Sequence, residues 1–284
     1  MRIFLSRSIL RGLCVLLWSM LSTVAFAHEE HGPHGETHGD VGKSAQNPIA
    51  NMISVPIEAD FNFGLGPFDR DQTLLTFKPV YPFKLGGGWS LVTRTIIPTF
   101  IPQPITTTPG KDVYGLGDIN PQFYFVAPPK GNLTWGVGPQ LTLPTATKTA
   151  TGADKWQAGP LAVVVLTPGN IVTGALVSQS WSFADASGGS KRPDVSEMVI
   201  QPFFNYNFKS HPGWFAYTNP VITANWEASS SNRWNIPVGG GLGKTFAIGG
   251  QHVQAKAGAF ANVVRPDGGA SWQAQFSLTF LFPQ

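Results

Sequence analysis

The densest run of potential metal ligands lies near the N-terminus. His28, His31, His34 and His38 alternate with Glu29, Glu30, Glu36 and Asp40, and glycines separate them. Imidazole and carboxylate together suit zinc or copper, and glycine lets such donors converge. The same low-complexity composition also suits a solvated leader with no preformed site, the simpler expectation. A second set lies in the body of the chain, where Glu58, Asp60, Lys78 and Arg94 bring opposite charges to three consecutive apolar-patterned segments. Such residues either brace a wall as ion pairs or form a constriction that orients a solute. Nucleophilic chemistry finds little support. Outside the leader the histidines are His211 and His252, neither near the rim where a lipid-acting triad would stand. The glycines of 239–243 precede no helical pattern, so no phosphate loop is expected.

Export is expected first. Arg2, Arg7 and Arg11 precede the apolar run 13–21, and Ala25-Phe26-Ala27 forms a small-x-small cleavage site. Residues 1–27 therefore read as a secretory signal peptide, too short for a spanning helix. Losing its three arginines takes the nineteen basic residues to sixteen, equal to the sixteen acidic ones. That neutral balance removes the argument for a nucleic-acid partner. The single cysteine, Cys14, leaves with the signal, so neither a disulfide framework nor a thiol catalyst is expected. Residues 28–46 read as a His-rich flexible periplasmic leader and 47–284 as the folded domain.

What positions the charged residues is a series of strands. Trp272, Ala274, Phe276, Leu278, Phe280 and Phe282 share one parity, while Gln273, Gln275, Ser277 and Thr279 share the other. Successive strand residues face opposite ways, so one face is aromatic and the other polar. About twelve such segments are expected, at 51–63, 73–85, 89–101, 118–127, 133–143, 156–166, 171–183, 196–208, 214–227, 234–248, 252–264 and 271–282. Their lengths suit tilted membrane strands of ~9–11 residues better than soluble strands of ~5–6. Short links at 86–88, 128–132, 167–170, 209–213 and 249–251 alternate with mostly longer ones. The expectation is an all-β, transmembrane, antiparallel up-and-down β-barrel of about 12 strands. Periplasmic turns, extracellular loops and both termini in the periplasm follow from that alternation.

Tryptophan tests the parity. Trp89, Trp135 and Trp214 fall near short links, and Trp156, Trp181, Trp226, Trp234 and Trp272 near long ones, all on apolar faces. Two aromatic girdles are what a bilayer's interfaces select. The other parity should line the lumen with Glu58, Asp60, Asn62, Lys78, Arg94, Gln179, Asn205, Asn207, Asn225, Glu227, Lys256 and Asn262. A lumen of this width is either a narrow passage or blocked by side chains and a folded-in segment. Lys244 breaks the pattern, requiring either a bulge in the glycine run or snorkelling to the interface. Pro79, Pro121, Pro139, Pro160, Pro202 and Pro220 share one expected height. They read as bulges that curve the wall, with a weakened seam for sideways release as the alternative.

Several segments carry a family resemblance. They are Asn47-Pro-Ile-Ala-Asn51, Gly115-Leu-Gly-Asp-Ile-Asn-Pro-Gln-Phe123, Trp135-Gly-Val-Gly-Pro139, Leu143-Pro-Thr-Ala-Thr147, Lys155-Trp-Gln-Ala-Gly-Pro160, Ile222-Thr-Ala-Asn-Trp-Glu227 and Pro237-Val-Gly-Gly-Gly241. In combination the chain from Asn47 onward resembles a Gram-negative outer-membrane transporter family sometimes mislabelled neuromedin U. It is similar to the meta-pathway phenol-degradation outer-membrane proteins. The resemblance implies a barrel with an uptake role and brings no catalytic residues.

The expected function is an outer-membrane channel or transporter for small neutral or amphipathic solutes, aromatic ones included, and not an enzyme. The alternatives are a lipid-modifying barrel enzyme or a structural or adhesive barrel. Outer-membrane lipid, a small solute and the barrel-assembly machinery are the expected partners. No cofactor is expected beyond zinc or copper at the leader.

Overall fold

The computed structural model describes residues 38–105, 107–188 and 192–283, which belong to one compact unit starting at His38. The signal at 1–27 and the leader's His28, His31 and His34 lie outside the described residues. Twelve strands run antiparallel. They are β1 (Met52–Leu65), β2 (Arg70–Phe77 and Val80–Lys84), β3 (Ser90–Pro104) and β4 (Asp112–Leu116 and Asn120–Val126). Next come β5 (Leu133–Thr142), β6 (Lys155–Leu166), β7 (Ile171–Asp185) and β8 (Ser196–Asn207). β9 (Trp214–Thr218 and Ile222–Asn225), β10 (Trp234–Ile248), β11 (Gln251–Val264) and β12 (Trp272–Pro283) complete the set. Each pairs with its neighbours in sequence, and β12 closes onto β1 from Met52↔Pro283 to Phe63↔Trp272. The expected up-and-down barrel is the fold found.

Its two faces follow the parity. Outward positions such as Leu75, Phe83, Val137, Val177, Leu242 and Leu278 are exposed, whereas inward Gln140, Ser178, Gln275 and Ser277 are buried. A barrel with greasy side chains outside and amides inside is inside-out relative to a soluble protein, as a bilayer requires. Among the tryptophans, Trp89, Trp135, Trp156, Trp181, Trp226 and Trp272 are exposed outward. Trp89 meets Trp135 edge-on with ring centroids 6.0 Å apart, and Trp272 stacks on Phe63 at 4.1 Å. Lys244 faces outward opposite Trp214, its ammonium 5.2 Å from the ring centroid. The register runs unbroken through Gly239–Lys244, so snorkelling accounts for Lys244 and no bulge is needed.

The prolines interrupt the ladder. β2 breaks at 78–79 and β9 at 219–221, around Pro79 and Pro220. Proline has no N–H to donate, so the ladder must lapse there. Pro139 stands directly opposite Pro160, and the β6–β7 ladder passes from Ala158↔Trp181 to Leu161↔Ser178. Short bonds bridge the β2 break: Lys78 N–H donates to the Pro56 carbonyl at 2.9 Å and Thr95 N–H to that of Pro79 at 3.1 Å. β4 also extends farther than its sequence suggests, because Asp112–Leu116 pairs with the end of β3 above a break near Gly117.

Among the described residues one α-helix, α1 (His38–Ala45), precedes the barrel. It packs against β1, β10, β11 and β12 at the end closed by the short links. The leader boundary drawn at 46/47 therefore follows a helix, and residues 46–50 continue inside the mouth.

Candidate functional site

Lumen-facing positions converge on one layer halfway along the barrel. β1 carries Glu58, the β2 break frees Lys78, β3 presents Arg94 and β11 presents Lys256. Glu58 and Lys256 are each directly opposite Ser277 of β12, which places them at one height. Lys78 pairs with Glu58, which is 7 % exposed. Arg94 and Lys256 form no ion pair among the described residues. The Lys256 ammonium instead sits 5.4 Å from the centroid of the Tyr217 ring. Asp60, one step outward, accepts a hydrogen bond from Gln275 Nε2 at 2.9 Å.

This layer divides the lumen. Toward the long links lies a polar vestibule of about 500 Å³, lined by Asp60, Gln122, Gln140, Gln157, Glu197 and their neighbours. Its amides are tied together: Gln140 Nε2 donates to Ser180 Oγ at 3.0 Å, and Tyr124 Oη donates to Gln122 Oε1 at 2.8 Å. Toward the short links lies an inner cavity of about 150 Å³, bounded by Gln46, Asn47, Pro48 and Met52 as well as by the wall. Glu58, Lys78, Arg94, Leu176 and Gln201 line both spaces. They form a floor for one cavity and a ceiling for the other.

Around and below the inner cavity the rest of the lumen is filled. Val80, Val92, Tyr124, Val163, Val172, Leu176 and Phe203 point inward and gather around Ile49. On the other side Val41 of α1 packs with Met52 and Leu281. Gly42 lies so close to β10 that a Cβ there would stand 2.7 Å from Thr245 Oγ1. Gln46 and Asn207 exchange amide hydrogen bonds of 2.9 and 3.0 Å. The segment 38–50 is thus a plug seated in the mouth. The aromatic cluster Phe215, Tyr217 and Phe260 lies against Gly243 and Gly258, where added side chains would strike its rings.

The expected lumen residues divide unevenly. Glu58, Asp60, Lys78, Arg94, Asn205 and Lys256 line the two cavities. Asn205 is buried and donates to the Val172 carbonyl at 3.1 Å, bracing the wall. Asn225 faces inward opposite Glu197 but ends its strand at the rim, exposed. Glu227 lies beyond β9 in an exposed turn and lines neither cavity. Gln179 faces outward with Trp181; its Oε1 accepts from Trp226 Nε1 at 3.1 Å. Its parity had always matched Trp181, and its polarity alone suggested the lumen. Of the leader ligands only the backbone of His38, in α1, is described. Among the described residues no three His, Cys, Asp or Glu stand together as metal ligands.

The sequence reading allowed for a folded-in segment without locating it, and it missed the apolar half of the lumen. In Leu161-Ala-Val-Val-Val-Leu166 both faces are aliphatic, so Leu161, Val163 and Val165 point inward with no parity to betray them. Gly42 beside Val41, and the amide of Gln46, were the available signals for a docked segment.

Comparison with known proteins supports the fold. No family model matches the chain, and no curated protein matches it. Among solved structures, an outer membrane channel from Pseudomonas putida F1 is similar, with a TM-score of 0.62 and 14% identity, over 82% of this chain and 96% of that one. At that identity the likeness is one of fold. The beta domain of a Bordetella autotransporter aligns over 82% of this chain and 100% of that one, with 15% identity and a TM-score of 0.43. A Salmonella typhi outer membrane phospholipase aligns over 88% and 99%, with 7% identity and a TM-score of 0.43. Likenesses that loose carry no argument for either activity.

Proposed function

We propose that the protein is a bacterial outer-membrane channel for small amphipathic solutes, closed in this conformation by the plug 38–50. The observation that carries the reading is the pair of cavities stacked end to end, divided by a charged layer and closed below by the docked segment 38–50. The vestibule opens among the long links, so in this reading solute enters there and leaves past α1 toward the periplasm. Burying Val41 and Ile49 contributes about 1.5–3 kcal/mol each. These contacts, with the paired amides of Gln46 and Asn207, are what a ligand would have to offset by binding the open form better.

The test is conductance in planar bilayers. The full chain should open rarely, and removal of residues 38–46 should produce a larger, steadier current. Silence from both forms together with hydrolysis of added phospholipid would favour a lipid-acting enzyme; silence without hydrolysis would favour a structural barrel. Metal capture by His28, His31, His34 and His38 is a separate proposal. Calorimetric titration of the 28–40 peptide with zinc or copper decides it, with binding lost as histidine protonates near pH ~6.5.

A further inference from the structure

We propose that the inner cavity binds a small carboxylate whose apolar body is no larger than about one ring. For its role in transport the inference rests on the channel reading; the site itself does not. Three cations, Lys78, Arg94 and Lys256, border this cavity, and one carboxylate, Glu58, borders it with them. Glu58 is paired with Lys78; Arg94 and Lys256 border the same cavity without an ion pair of their own among the described residues, Lys256 with its ammonium over the Tyr217 ring. Asp60, the next carboxylate, lines the vestibule and not this cavity.

A guanidinium presents a planar fork of donors that matches a carboxylate, and an ammonium adds a second point of attraction. Across the lumen, β7 and β8 contribute Leu176 and Phe203 to the same cavity. One wall thus favours an anion, and the other, which also carries Gln201 and Asn205, offers an apolar patch at Leu176 and Phe203. A multiply charged inorganic oxyanion would waste the second wall, and a neutral ring would leave the first unsatisfied. The volume, about 150 Å³, is of the order that holds one benzene-sized molecule in an enclosed site.

The test uses the purified full chain in nanodiscs, titrated calorimetrically at neutral pH with benzoate, benzyl alcohol, benzylamine and inorganic phosphate. Benzoate should bind saturably and at least tenfold more tightly than the other three. R94Q and K256Q should each weaken benzoate about tenfold; the charge-conserving K256R should recover most of its loss, and R94K, which keeps the charge without the fork, only part. Thermal melts of each variant establish that the barrel is folded. Equal affinity for benzoate and benzyl alcohol, a preference for phosphate, or no benzoate heat from folded protein would overturn the proposal. Conductance without benzoate binding would sink this site and leave the channel standing. Benzoate binding without passage, even after deletion of 38–46, would do the reverse.

Discussion

A single carboxylate, Glu58, holds the charged layer together. It lies between Lys78 and the height of Lys256, so its removal leaves three cations around one floor. Breaking a partly buried pair from one side costs more than removing both partners. Glu58→Gln should destabilise the barrel by about 1–3 kcal/mol, and Glu58→Gln/Lys78→Gln should recover part of that. Urea unfolding in vesicles measures both. An additive double mutant would show that the pair is not coupled. At the outer surface Lys244 illustrates a different rule: its stem covers apolar wall while its charge rests on Trp214, at the level of the girdle.

Strands of this barrel have two solvents, and paired substitutions at one height can tell them apart. Val177 faces outward and is 40 % exposed, while Gln201 of the adjacent strand lines both cavities. An arginine on the lipid face near the midplane costs about 2–4 kcal/mol. Val177→Arg should therefore lower folding stability in vesicles by that order, and Gln201→Arg by much less. Equal losses would contradict the assignment of faces. α1 yields a sharper test. Since no Cβ fits between Gly42 and Thr245 without a shift, Gly42→Val should unseat the plug at a cost of about 1–3 kcal/mol to its docking. The variant should conduct in planar bilayers like the form lacking 38–46. A variant as quiet as the parent would mean that the helix does not gate the lumen. The prolines belong to this scale too. They interrupt ladders at neighbouring positions on several strands, and backbone left unpaired in lipid must reach lumen water or a neighbouring group. The bond from Lys78 to Pro56 is one such repair.

For the molecule as a whole, orientation remains open to direct measurement. The short links, one of them Gly86–Gly88, share an end with the plug, and the 105–111 link lies at the other. A protease site inserted after Gly110 should be cut on intact cells, and one inserted within Gly86–Gly88 should be cut only after lysis. The opposite pattern would put α1 outside the cell and invert the proposed direction of uptake.

Strand number, the two faces and the aromatic girdles were legible in the chain because period-two alternation is a local property. A residue's face follows from its neighbours two positions away. Lys78, Arg94 and Lys256 could be set inward on the same grounds. Alternation is silent where both faces are apolar, as in 161–166, and misleads where an amide meets an indole outside, as at Gln179. Nor does it place segments that belong to no strand. The meeting of residues 38–50 with Thr245, Gln254 and Leu281 spans two hundred positions and depends on barrel closure. So does the height at which Glu58, Lys256 and Ser277 coincide, because register accumulates from strand to strand around the wall. Local alternation settles which side of most strands is wet. Division of that interior in two, and its stopper at one end, arise only when the sheet closes and brings distant residues to one height.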